Sequence, residues 1–104
     1  MRITIAHNKS KQEVVDSIDR GFDDAFRMEG LPVKLELQQK TWQGSTMTFA
    51  LNAKVAFMSS PIKGTIDVTD RDVTIDADLG MFERLVSEEK VRGALSTRFK
   101  GLLN

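Results

Sequence analysis

The residues best suited to chemistry are five aspartates between residues 67 and 78. Carboxylates at this density could bind a divalent cation at Asp70–Asp72, or transfer protons through a pair at Asp76 and Asp78. The spacing lacks the glycine and the glutamate that an EF-hand loop requires at its sixth and twelfth positions. The same segment alternates with apolar residues at every second place, which is typical of a strand with one hydrated face. We therefore interpret the aspartates as the polar face of a hairpin and predict no metal site.

Catalysis by histidine or cysteine has little support in this chain. His7 is the only histidine and there is no cysteine, which excludes a thiolate zinc site, a disulfide and a histidine-rich metal site. A catalytic triad would have to recruit a serine without nucleophile-elbow spacing, and the candidates are Ser10, Ser17, Ser45 and Ser59. His7 as a general base remains an alternative to a capping or surface position. The glycines form no phosphate-binding loop, so we expect no cofactor and no enzyme activity.

Charge and hydropathy restrict the partners and the compartment. Fifteen basic and fifteen acidic residues balance, and no run of lysine or arginine makes a basic patch, so we expect no nucleic-acid binding. The apolar stretch at the N-terminus is too short for a signal sequence, and no apolar segment reaches the roughly 18 residues of a membrane span. We expect a cytoplasmic protein consisting of a single α+β domain, residues 1–104.

Hydrophobic periodicity predicts the elements that position these residues. Alternation over residues 2–6 indicates a short strand, and helical spacing then runs from a cap at Asn8 or Ser10 to Gly30. The period next changes to two, which predicts four more strands, over residues 33–37, 48–57, 62–68 and 73–79. In the second of these, Phe57 is expected to share the inward face with Phe49.

The last two predicted strands form a hairpin, and a helical segment follows them. A turn at Asp70-Arg71 would place Val68 opposite Val73. After Gly80, two apolar patches that are out of phase indicate a short helix, a bend and a longer terminal helix. The predicted fold is β-α-β-β-β-β-α, an antiparallel sheet with one long helix and a bent C-terminal helix packed on one face.

Several soft apolar side chains are candidates for contact with a partner. The outward Ala50, Ala56 and Met58 make one face of the long strand less polar than a hydrated sheet face should be. This area is either buried under the terminal helix or used for docking or for a homodimer, and the sequence leaves both open. The residues predicted for an apolar docking face are Trp42, Met47, Met58, Met81, Phe82 and Leu85.

Three segments resemble the polyhydroxyalkanoic acid system protein family. They are Thr41–Phe49 (TWQGSTMTF), Ile62–Val68 (IKGTIDV) and Val73–Leu79 (VTIDADL), followed by a bent helix. Ile3, Ile5 and His7 before a capped helix are similar to the start of that family, so the resemblance covers nearly the whole chain. Two positions depart from the family pattern, Ser45 replacing an aspartate and Gly80 replacing a proline.

The resemblance implies a functional context and no catalytic residues. Members of the family are small bacterial proteins linked to polyhydroxyalkanoate storage, some at the granule surface. The expected function is therefore a non-catalytic accessory protein that docks on the granule, or on a granule protein, through an apolar face. The alternative is a carrier of acyl chains, with an apolar cavity between the sheet and the C-terminal helix.

Overall fold

The computed structural model describes residues 1–25, 34–81, 84 and 87–103. Within these ranges the elements are β1 (Arg2–Ala6), α1 (Lys11–Ala25), β2 (Lys34–Gln43), β3 (Thr46–Val55), β4 (Met58–Val68), β5 (Asp72–Asp78) and α2 (Glu88–Leu103). This confirms a small α+β fold with a five-stranded antiparallel sheet and a helix near each end of the chain. The predicted short helix before the bend falls on residues 82–86 and lies, except for Arg84, outside the described residues.

The five strands lie in the order β1-β5-β4-β3-β2, and each neighbouring pair is antiparallel. The register of β4 and β5 is the predicted one, with Val68 opposite Val73 and Lys63 opposite Asp78. The N-terminal strand adds to the free side of β5 and forms one edge of the sheet. The other edge is β2.

One hydrophobic core joins the sheet to both helices. Alternate residues of the strands point into it, and each helix contributes a stripe spaced three or four residues apart. The buried stripes are Val14, Ile18 and Phe22 on α1, and Val91, Leu95, Phe99 and Leu103 on α2. Neither helix in the described part of the chain is long and apolar enough to cross a bilayer.

The turn between β3 and β4 departs from the sequence prediction. The alternating pattern predicted one strand as far as Phe57, with this ring facing the core, but β3 ends at Val55. Ala56 and Phe57 form a two-residue turn, and the Phe57 side chain is fully exposed. Ala56 has a φ of 54°, whereas Phe57 does not have a positive φ. A turn in which only the first central residue has a positive φ usually has glycine at that position. This chain has alanine there, so no residue type indicated the turn.

The edge strand β2 is longer than predicted because it contains a β-bulge. Its pairing with β3 shifts between Leu37 and Gln39, which leaves Gln38 as an extra residue. Two side chains on opposite sides of the extra residue can therefore point to the same face of the sheet although an odd number of positions separates them. Leu37 lies opposite Leu51, and Trp42 lies opposite Met47, all on the core face. The sequence prediction stopped near Leu37 because the period of two is broken there.

A phenylalanine ring fills the space above a glycine in the centre of the sheet. Gly64 lies between Phe49 on β3 and Ala77 on β5. A Cβ atom on Gly64 would lie 2.6 Å from Cζ of Phe49 and 2.5 Å from the carbonyl oxygen of Asp76. The Phe49 ring also contacts Phe22 of α1, with centroids 5.3 Å apart and an interplanar angle of 58°. Gly64 thus allows α1 to pack through Phe49 close to the sheet.

Candidate docking surface

The aspartates between residues 67 and 78 bind separate partners on the outer face of the sheet. Their contacts are Asp67 with Thr46 Oγ1 at 2.8 Å, Asp72 with Thr69 Oγ1 at 2.9 Å, Asp76 with Arg2 at 3.3 Å, and Asp78 with the Gly80 main-chain N–H at 3.0 Å. Asp70 is exposed in the β4–β5 turn. Among the described residues, no group of three or more histidine, cysteine, aspartate or glutamate side chains is arranged to hold a metal. The arrangement is that of a hydrated sheet face.

A shallow concavity of about 430 Å³ lies on this outer face. It is lined by Arg2, Thr46, Thr65, Asp67, Thr74 and Asp76. Its charged groups are already engaged with one another or with a threonine, since Arg2 pairs with Asp76 and Asp67 accepts from Thr46. Short polar side chains therefore make this surface, which offers hydrogen bonds.

His7 connects the end of β1 to the β4–β5 turn. Its Nδ1 accepts a hydrogen bond from the main-chain N–H of Lys9 at 3.2 Å, so the proton is on Nε2. Nε2 donates to the carbonyl oxygen of Thr69 at 2.9 Å. Because both ring nitrogens bind the main chain, His7 would have to break one of these bonds before it could act as a general base.

Trp42 fixes the edge strand β2 to α1. The indole Nε1 donates to Oδ1 of Asp19 at 2.9 Å. Lys40 Nζ lies 3.1 Å from the same oxygen and also donates to the Asp19 carbonyl oxygen. The ammonium group of Lys40 lies 5.9 Å from the ring centroid of Phe22, within the range of a cation–π contact. Trp42 is half-buried and packs against the core, so this predicted docking residue has a packing contact inside the molecule.

The contacts of Asp19 should make the free energy of unfolding depend on pH. The hydrogen bond from Trp42, followed by that from Lys40, holds the pKa of Asp19 below its usual value. A carboxylate with a lowered folded-state pKa stabilises the fold above its unfolded pKa and loses that contribution as pH falls through the folded one. We expect Asp19→Asn to lower the free energy of unfolding by less than about 1 kcal/mol at neutral pH, because the side chain is half exposed. The difference should decrease as pH falls below about 4, the usual pKa of an unfolded aspartate, and should disappear once pH is below the lowered folded-state pKa.

Urea unfolding followed by the emission of Trp42, the single tryptophan, measures this effect. Asp16→Asn is the matched control, since it removes the same charge from α1 and disturbs only a hydrogen bond from Gln12 in the same helix. Parallel stability curves for wild type and Asp19→Asn from neutral to acidic pH would contradict the prediction.

The five predicted apolar docking residues other than Trp42 separate into three groups. Met47 is completely buried in the core, so the fold excludes it from direct contact with a partner. Met58 and Met81 are 43% and 51% exposed. Phe82 and Leu85 lie outside the described residues. Methionine is apolar at both kinds of position, so residue type alone could not separate Met47 from Met58.

Four large apolar side chains, Leu37, Phe57, Met58 and Met81, are exposed among the described residues. Phe57, Met58 and Met81 lie at one end of the sheet and are here called the apolar tip, whereas Leu37 lies opposite Leu51 near the middle of β3. Phe57 and Met58 are at the β3–β4 turn, and Val55 pairs with Met58 beside it. Met81 follows Gly80, and Gly80 lies close to Ser60 and Pro61 near the start of β4. Leu37 lies on the core face of β2. Sequence reasoning missed Leu37 and Phe57 because both alternate as core residues do.

No protein-family model matches the chain, and no curated protein or solved structure is significantly similar to it. The likeness to the polyhydroxyalkanoic acid system proteins therefore depends on the short motifs alone. The choice of the apolar tip as the candidate docking surface depends on the geometry of the fold.

Proposed function

We propose that the protein is a non-catalytic accessory protein of polyhydroxyalkanoate storage that docks on the granule, or on a granule protein, through the apolar tip. The observation that carries the docking function is the concentration of exposed large apolar side chains at one end of the sheet. The link to polyhydroxyalkanoate comes from the resemblance of residues 41–49, 62–68 and 73–79 to that family.

The apolar tip suits a surface that offers methylene and ester groups without fixed polar geometry. Burying a fully exposed phenylalanine side chain such as Phe57 is worth about 2–3 kcal/mol. Met58 and Met81 add flexible, polarizable area that adapts to an irregular surface. Contact through these side chains leaves the core intact, since the buried residues of both helices lie elsewhere.

The acyl-carrier alternative has less support from the packing of α2. A cavity for an acyl chain would leave the side chains that line it accessible to a small probe. The buried residues of α2 are at most 2% exposed, and they are Val91, Leu95, Phe99 and Leu103. The close packing of this buried face along the described length of α2 supports docking over an acyl-chain cavity.

Binding to polyester particles tests the proposed function. The purified protein should co-sediment with bare polyhydroxybutyrate particles, and the double variant Phe57→Ser, Met58→Ser should bind at least about 10-fold more weakly because it loses well over 1.4 kcal/mol of apolar contact. Asp70→Ser is the matched control, because it alters an exposed residue at the other hairpin turn.

Two results would overturn direct docking on the polyester, and a wild-type fusion that stays diffuse in granule-containing cells would overturn docking on a granule protein as well. One is a wild-type protein that stays in the supernatant, and the other is a double variant that sediments as well as Asp70→Ser. Thermal unfolding by circular dichroism establishes that both variants retain the fold. In granule-containing bacterial cells, a fluorescent fusion of the wild type should concentrate at granules and the double variant should be diffuse.

A further inference from the structure

Two lysines lie directly opposite each other beside the apolar tip. Lys34 on β2 pairs with Lys54 on β3, and one residue, Val55, separates Lys54 from the β3–β4 turn. Like charges at directly opposed positions of a sheet are unfavourable. Glu36 relieves this in part, since its carboxylate lies 2.9 Å from Nζ of Lys54. These three side chains together carry one excess positive charge.

Both lysines act on Glu36, which shows that they belong to one electrostatic group. The hydrogen bond and the charge of Lys54, with a further contribution from the charge of Lys34, lower the pKa of this carboxyl. Lys54 remains about half exposed and Lys34 is exposed, so both ammonium groups remain accessible to another negatively charged partner.

We propose that this end of the molecule binds an anionic phospholipid surface, with Phe57 and Met58 entering the interface and Lys34 and Lys54 contacting the head groups. The inference uses part of the same apolar tip as the proposed function but does not depend on polyester binding. It assigns a different partner, recognised by apolar insertion together with positive charge.

The spacing between Lys54 and Phe57 is compatible with the thickness of a head-group layer. Phe57 is three positions after Lys54 and the chain turns at Ala56, so at most about 10 Å separates the two Cα atoms. An apolar group that enters the interface reaches roughly 5–10 Å below the head groups. With Phe57 at that depth, the long side chain of Lys54 can reach the phosphates, and Lys34 lies opposite Lys54 in the register.

The shape of this end favours a lipid surface over a protein partner. A stable protein interface buries about 800 Å² on each side. Phe57 and Met58 protrude at a narrow turn, and the outer face behind them carries the lysines rather than a continuous apolar area. The positive φ of Ala56 holds the turn in a conformation that few residues other than glycine adopt, and Phe57 is fully exposed beyond it.

Vesicle co-sedimentation tests the inference with two lipid compositions. One is phosphatidylcholine alone, and in the other one third of it is replaced by phosphatidylglycerol. The wild type should bind the anionic vesicles at least about 10-fold more tightly than the neutral ones, since each lysine near such a surface contributes about 1 kcal/mol. Salt at about 0.5 M should remove most of this difference.

Three variants separate the contributions. Phe57→Ser and the double variant Lys34→Gln, Lys54→Gln should each weaken binding to anionic vesicles about 10-fold. Lys63→Gln is the matched control, because Lys63 lies on the same outer face but is opposite Asp78, farther from the turn. Its effect should stay below about 2-fold.

Equal binding to both vesicle types, no binding to either, or equal effects of Lys63→Gln and the double lysine variant would overturn the inference. Binding to bare polyester particles distinguishes a failure of the lipid inference from a failure of the proposed function. Binding to polyester without binding to anionic vesicles overturns only the lipid inference, and the reverse result supports it while removing the polyester proposal.

Discussion

Replacing Gly64 with alanine should lower the free energy of unfolding by about 3 kcal/mol. The new methyl group would meet the Phe49 ring on one side and the Asp76 carbonyl oxygen on the other, at distances no carbon atom tolerates. The ring can rotate or shift, but the carbonyl belongs to β5, which pairs with β4 along its length. The clash between the new methyl group and this carbonyl oxygen can therefore be relieved only if the sheet itself moves.

Urea unfolding at equilibrium measures this loss. Gly93→Ala is the matched control, since Gly93 lies in α2 and a Cβ atom there would have no neighbour within 4 Å. Alanine at an exposed helical position should stabilise the protein by about 0.5–1 kcal/mol. A Gly64→Ala protein as stable as the wild type would show that the Phe49 ring does not fill the space above Gly64.

Phe49→Ala should produce the largest loss, about 3–5 kcal/mol. Phe49 is 1% exposed and contacts Phe22, so its removal leaves a cavity between the sheet and α1. This is a large part of the 5–15 kcal/mol that stabilises a typical domain. Phe49→Leu retains much of the volume and should cost less, which keeps the comparison measurable if the alanine variant unfolds.

A double-mutant cycle tests whether Gly64 and Phe49 are energetically coupled. In the double variant Gly64→Ala, Phe49→Ala the added methyl group no longer meets the ring, although it still meets the Asp76 carbonyl. The combined loss should therefore be at least about 1 kcal/mol smaller than the sum of the two single losses. Phe49→Ala combined with Gly93→Ala should be additive within about 0.5 kcal/mol. Additivity in both pairs would contradict the packing described for Gly64.

The register of the β4–β5 hairpin could be predicted from sequence because the alternation on both strands and the turn residue Asp70 indicate the same pairing, although Arg71 is unfavourable at a positive φ. Apolar residues alternate on both strands, with Gly64 as the one inward residue that has no side chain. The β3–β4 turn could not be predicted, because Ala56 and Phe57 continue the alternation of the strand. The long-range pairing of the two strands imposes the reversal there.

The apolar tip was predictable only in part, for a related reason. The sequence identifies Met58 and Met81 as adaptable apolar residues but does not distinguish Met47 from them, because composition does not reveal which face a residue occupies. The contact of Trp42 with Asp19 joins residues 23 positions apart in the chain. The bulge at Gln38 determines that Trp42 faces α1, and no period of two or 3.6 encodes such an insertion.

The same bulge has a consequence for the behaviour of the protein at high concentration. β2 is an edge strand of ten residues, long enough to act as a template for cross-β growth between molecules. Gln38 divides it into segments of four and five residues that are out of phase with each other, residues 34–37 and 39–43. A neighbouring chain cannot continue a regular ladder across this interruption, which protects the long edge from fibril formation.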